Sequence, residues 1–222
     1  MSVREIRRDE RIDLKLIHKE FKDGFELIKK YPRSVTFFGS ARLREGDEHY
    51  EEATKLAEKI ARELKYTVIT GGGPGIMQAA NKGAFDAGGT SIGLCINLPH
   101  EQASNKCLHS QMSFRYFFTR KTILTFAAEA FIFFPGGFGT LDEFFDVLTL
   151  VQTGKIPKVP IILVGEDYWR PLDAFIRQQL LAVHKTIGPA DAELYRIMSS
   201  HDEIIAEIKK TPVQNWWKEF EK

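Results

Sequence analysis

Cysteine is nearly missing from this chain. Cys95 and Cys107 are its only two, and with neither a CxxC pair nor a disulfide framework they predict a reduced, cytoplasmic protein. A dominant charge is missing as well: acidic and basic residues cancel to a formal net charge of +1, so no overall field draws nucleic acid to the surface. Every apolar run is cut by Pro or Gly well short of about 18 residues, so no membrane partner is expected. Residues 1–11 are charged rather than apolar, which argues against a signal peptide. The six histidines are scattered without ligand spacing, and neither a metal nor a cofactor is expected. GxxxxGK[ST] is also missing, and the Ser91 of Gly89-Thr90-Ser91-Ile92-Gly93 falls inside an apparent strand and not on an elbow after one, which speaks against ATP hydrolysis and against a serine nucleophile.

What remains is an alternation. Short apolar strands at 33–39, 66–70, 90–96, 130–134 and 159–164 are separated by helical stretches at 49–64, 76–87, 114–128 and 140–153. That rhythm predicts an α/β, Rossmann-like three-layer fold: a parallel sheet with helices on both faces. The 222 residues are read as one domain, with residues 1–32 an N-terminal helical extension and 211–222 a C-terminal tail. In the extension Ile12, Leu16, Phe21, Phe25 and Ile28 form an apolar stripe. The tail carries Trp216, Trp217 and Phe220, expected to dock on the body or on a second subunit. Residues 97–113 have no sustained periodicity and are expected to be a long loop, of the kind that closes over ligands.

Glycine-rich turns follow the first, second and fourth strands, all on the sheet edge where such folds bind ligands. A strand order of 3-2-1-4-5 makes the first and fourth neighbours, with the site between their turns. The turn Pro135-Gly136-Gly137-Phe138-Gly139-Thr140 opens a helix, whose unpartnered N–H groups and positive dipole end suit a phosphate. Gly136, Gly137, Gly139 and Thr140 are therefore candidate phosphate ligands. Glu143 stands three residues after Thr140. It is either a carboxylate facing the ligand or the returning half of a capping box. Gly39 and Ser40 form the first turn, and Gly72 and Gly73 lie in the second. That second loop is not a GxGxxG fingerprint, so it is read as a close approach to a ribose or base, or as a plain tight turn. Arg120 and Lys121, just before the fourth strand, are either site cations or exposed helix residues.

These elements occur together in a known family. Pro135 to Glu143 reads as PGGxGTxxE, and with Arg120-Lys121 upstream, the Gly39-Ser40-Ala41 turn and the Gly71–Gly75 loop in order, the chain resembles the LOG ("lonely guy") family of cytokinin-activating phosphoribohydrolases over about residues 33–185. The label "lysine decarboxylase-like" often attached to such chains is not chemistry these motifs support. The resemblance implies hydrolysis of the N-glycosidic bond of adenine nucleoside monophosphates, AMP or an N6-substituted AMP, by a homodimer or larger homo-oligomer. It also implies that Arg120 and Glu143 are the catalytic pair, with Gly136, Gly137, Gly139 and Thr140 on the phosphate and Gly39, Ser40, Gly72, Gly73 and Lys121 on the rest of the substrate. Glu143 is expected to be ionised near pH 7, and Arg120 to clamp oxygens or to pair with Glu143. A nucleotide-binding or molybdenum-cofactor carrier without hydrolase activity is the alternative. Two features depart from the short plant-like forms: the helix before the first strand, and Phe118-Thr119 ahead of Arg120-Lys121 where the family usually has Met-His-Glu.

Overall fold

The computed structural model describes residues 12–97 and 104–212; Pro99, His100 and the tail aromatics fall outside that range. Helix α1 (Leu14–Ile28) precedes β1 (Ser34–Phe38), α2 (Glu48–Lys59, continued by a π turn to Leu64), β2 (Thr67–Thr70), α3 (Ile76–Asp86) and β3 (Ser91–Ile96). Then come β4 (Ser110–Phe114), α4 (Phe117–Phe126), β5 (Ala130–Phe133), α5 (Phe138–Gln152) and β6 (Ile161–Leu163). Helix α6 (Glu166–Phe175, with a π segment to Val183), β7 (Arg196–Ile197) and α7 (His201–Lys210) complete the order. The strands make one seven-stranded sheet, β4-β3-β2-β1-β5-β6-β7, every pair parallel.

Period-two alternation divides the core into two layers. Ala130, Ile132 and Phe134 pack on α2, α3 and α7, while Phe131 and Phe133 pack on α1, α4, α5 and α6. A sheet covered on both faces is why its strands read as nearly unbroken apolar runs. From β1 the chain proceeds outward to β2 on one side and later returns to place β5 on the other, so strand order reverses between β1 and β5. The carboxyl ends of those two strands flank the crevice where such sheets take ligands. Among the described residues, no helix is long and apolar enough to cross a membrane.

The expected five-strand order is present, with an additional strand at each edge. Residues 97–113 are not an unbroken loop: Ser110–Phe114 pairs along β3, from Ile92↔Ser110 to Ile96↔Phe114. This strand eluded the sequence reading because an edge position buries little of its Ser-Gln-Met-Ser-Phe run, leaving almost no apolar alternation to detect. Strand β7 is only two residues long. Helix α4 starts at Phe117, not Phe114, because Phe114 ends β4 with its ring fully buried. In α1 the buried seam is Glu20, Gly24 and Ile28, and Ile12 lies outside the helix, 70% exposed.

Candidate active site

Two turns meet at the reversal point. The Ser40 N–H donates to the Pro135 carbonyl at 3.0 Å, stitching the end of β1 to the end of β5. Gly136 lies under this stitch, where a Cβ would collide with Thr140 Oγ1. The Tyr168 hydroxyl of α6 donates to the Gly136 carbonyl at 2.6 Å and holds the turn from the other side. Around these turns lies a cleft of about 810 Å³ lined by Gly39, Ser40, Arg42, Gly71, Arg120, Gly136 to Glu143, Tyr168 and the apolar side chains of Met77 and Phe117.

Helix α5 opens on the cleft. Gly137 is its N-cap, and its carbonyl accepts from the Thr140 and Leu141 N–H groups at 3.0 and 3.1 Å. Gly137 has φ −90°, and neither it nor Gly139 adopts positive φ. A Cβ at either would meet nothing within 4 Å. The free protein thus has neither a conformational nor a steric need for glycine at these two positions. Their effect is to leave the start of α5 bare toward the cleft, as close approach of an anion to backbone amides requires.

Glu143 is on the inward face of the same helix, 8% exposed. Thr140 gives its N–H to Gly137 rather than to Glu143, and with the N-cap at Gly137 there is no capping box. Glu143 Oε2 is buried without a hydrogen-bond partner among the described residues, a costly arrangement for a group that only stabilises a fold. Desolvation pushes the Glu143 carboxyl up to about 7, against the pull of Lys121 and Arg120. The expectation of a carboxylate fully ionised near neutrality is corrected accordingly. Burial more than a helical turn inside α5 outweighs the dipole, which acts mainly in the first turn.

Arg120 reaches the cleft from α4. Its Nε–H donates to the Leu94 carbonyl at 2.7 Å, and its guanidinium lies over Gly71, where any Cβ would collide with Nη2. Burial lowers its pKa while Glu143 raises it. No Arg120–Glu143 ion pair forms among the described residues, so of the two expected roles of Arg120, pairing with Glu143 is absent; Nε is held at the Leu94 carbonyl of β3 instead. Lys121 turns aside and pairs with Asp142 at 2.7 Å, tying α4 to α5 without lining the cleft.

Gly72 and Gly73 also face away. The Gly72 carbonyl accepts from Asn105 N–H at 2.9 Å and that of Gly73 from Asn105 Nδ2 at 3.1 Å. Gly72 has φ +70°, and a Cβ there would collide with Cys95 Sγ, so Gly72 serves close packing beside the site while Gly71 of the same loop lines it. His109 is at the opposite edge of the sheet, where Nδ1 accepts from Ser91 N–H at 3.2 Å. Tyr168, Met77 and Phe117 were missed from sequence. The position of Tyr168 just after a strand, on the edge that carries the glycine turns, was the available signal.

Residues 77–208 match a family model described as possible lysine decarboxylase. A cytokinin riboside 5'-monophosphate phosphoribohydrolase of Rhodococcoides fascians is 31% identical over 183 residues, covering 80% of this chain and 90% of that protein. The rice (Oryza sativa subsp. japonica) protein named LOG, with the same activity in its name, is 28% identical over 153 residues, covering 68% of this chain and 62% of its own length. Among solved structures, the molybdenum cofactor binding protein of Rippkaea orientalis superposes with a TM-score of 0.59 at 22% identity, covering 80% of this chain and 94% of that one. The molybdenum cofactor carrier protein of Chlamydomonas reinhardtii gives 0.59 at 22% identity, covering 81% and 97%. At these identities the structural likeness speaks to the fold alone.

Proposed function

This chain belongs to the LOG family, and from that membership we propose that it hydrolyses the N-glycosidic bond of adenine nucleoside 5'-monophosphates, AMP or N6-substituted AMP, to free base and ribose 5-phosphate. The observation that carries the reading is the buried Oε2 of Glu143, without a partner among the described residues, in the wall of a cleft that also holds a bare helix start. A carrier needs amides for a phosphate; it has no use for a carboxylate kept dry at such cost.

In this reading the phosphate rests on the amides at the start of α5, with the Ser40 hydroxyl beside it. Ribose lies between Glu143 and Arg120, and the base against Met77 and Phe117. Cleavage transfers the C1'–N bond pair to the base, which takes up a proton from solvent, and builds oxocarbenium-like charge on the sugar. Ionised Glu143 stabilises that charge and takes a proton from the water whose oxygen attacks C1'. Arg120 stays protonated; it holds sugar oxygens and favours the ionised form of Glu143.

Incubation with a panel of nucleoside monophosphates including AMP and N6-isopentenyl AMP, with free base measured by chromatography, tests the reading. Because the acting form of Glu143 is the ionised one, base release should rise with pH through a midpoint near 7 and level off above it. A profile that falls through the same range would make Glu143 a proton donor instead. Tight binding with no base released on long incubation is the carrier outcome and would overturn the hydrolase.

The homo-oligomer is likewise proposed. Phe138 is 93% exposed, Phe117 62% and Phe118 49%. These rings stand at or near the cleft mouth, where a second copy would cover apolar surface next to the site. Beyond Phe138, the apolar residues of α5 are mostly covered: Phe144, Val147 and Val151 are in the core, Leu148 and Leu150 are half-buried, and Phe145 is exposed. Light scattering at micromolar concentration should give at least a dimer mass, and a monomer mass rejects the assembly.

A further inference from the structure

We propose that Glu20, in the helix that precedes the first strand, is a positioning residue for Arg120; the inference rests on the hydrolase reading above. Glu20 is 4% exposed, an unusual place for a carboxylate. Both of its oxygens are engaged, more than 90 residues away along the chain: Oε1 accepts from the Arg115 N–H at 2.6 Å and Oε2 from the Thr119 hydroxyl. These two donors bracket the beginning of α4, whose N-cap is Tyr116. A carboxylate there also complements the positive end of the helix.

The rest of the α1–α4 contact is built to bring that carboxylate in. Gly24 faces Ile123 so closely that a Cβ would sit 2.7 Å from its Cγ1, and Phe25 meets Phe126 edge-on at 5.9 Å. The Asp13 N–H donates to the Tyr116 hydroxyl at 2.8 Å. Arg120 follows Thr119 directly, and its N–H bonds the Tyr116 carbonyl at 3.2 Å, within the same turn that Glu20 grips. Where that turn lies sets how far the guanidinium extends past Gly71 into the cleft. A displacement of about 1 Å in a reacting constellation can cost on the order of a hundredfold in rate.

Two variants separate positioning from simple support. Glu20→Ala removes both acceptors. Glu20→Gln keeps an oxygen for the Arg115 N–H and turns an amide N–H toward Thr119 Oγ1, whose own proton then goes to the Tyr116 carbonyl 2.8 Å away. We expect Glu20→Ala to lower kcat for AMP by about tenfold or more, with inhibition by inorganic phosphate within about twofold of wild type, since the phosphate turn is on another helix. Glu20→Gln should restore most of the loss. If Glu20→Ala does not fold, Thr119→Ala takes its place with the same expectation. Unchanged kcat in the folded variant overturns the inference, as does an equal loss of kcat and inorganic phosphate affinity, or failure of Glu20→Gln to rescue. Wild-type protein that releases no base overturns the hydrolase reading and this inference with it, so the two failures are distinguishable.

Discussion

Glu143→Gln should release base at least about 10²–10⁴-fold more slowly than wild type, the range that a positioned acid or base contributes, and should at the same time melt higher at pH 8. The second half follows from linkage. Burial raises the folded-state value from 4.5 to about 7, so between those limits the folded chain holds more protons than the unfolded one. Stability from this group is therefore fully present below about pH 4.5, falls as pH rises through the window, and is lost above about 7. At about 1.4 kcal/mol per pH unit the gap amounts to about 3 kcal/mol against the folded state at pH 8. The amide carries no charge to desolvate. Its melting temperature should exceed wild type by several degrees at pH 8, given about 2–4 °C per kcal/mol for a chain of this size, and the difference should shrink toward pH 4.5. Such an exchange of stability for chemistry is what a functional site shows. Near-normal turnover in the variant removes Glu143 from the mechanism. A lower melting temperature at pH 8 would mean that Oε2 has a partner and that its burial is structural.

Arg120→Ala is the second large effect. Removing a preorganised cation from the wall of the cleft costs on the order of 10²–10³ in kcat. It also leaves a signature that loss of packing alone would not. Arg120 pulls the Glu143 carboxyl downward. Without that charge the carboxyl ionises less readily, and the midpoint of the pH–activity curve should move to higher pH in the residual activity. Arg120→Lys tests the geometry separately. It keeps the positive charge and so should hold the midpoint nearer the wild-type position, but it loses the planar fork that both reaches the Leu94 carbonyl and presents nitrogens to the sugar. Circular dichroism in parallel establishes that each variant is folded. An unshifted midpoint in Arg120→Ala would mean that the two side chains do not act on one another through the cleft.

Much of this architecture is written locally. Alternation of short apolar runs with helical stretches predicts a parallel sheet because a strand buried on both faces has little room for polar residues. Pro135 to Thr140 reads as a candidate anion turn because that reading needs only the backbone of one helix start. What remained hidden depended on neighbours distant in the chain. Ser110–Phe114 becomes a strand only because β3 offers it an edge. Lys121 is adjacent to Arg120 in sequence, yet the turn of the helix gives it to Asp142 and sends Arg120 to the cleft. Gly72 and Gly73 look like ligand glycines, but Asn105 occupies their carbonyls.

By itself, then, the order of residues determined the fold class, the strand order from β3 to β6, the glycine turn that opens α5 on the cleft, and the family. Each of these follows from short-range pattern, where periodicity, turn chemistry and helix-end dipoles operate. The protonation of Glu143, the setting of Arg120 and the grip of Glu20 on α4 were decided only in three dimensions. Desolvation and hydrogen-bond geometry belong to a side chain's surroundings, and here those surroundings come from segments up to about a hundred residues apart.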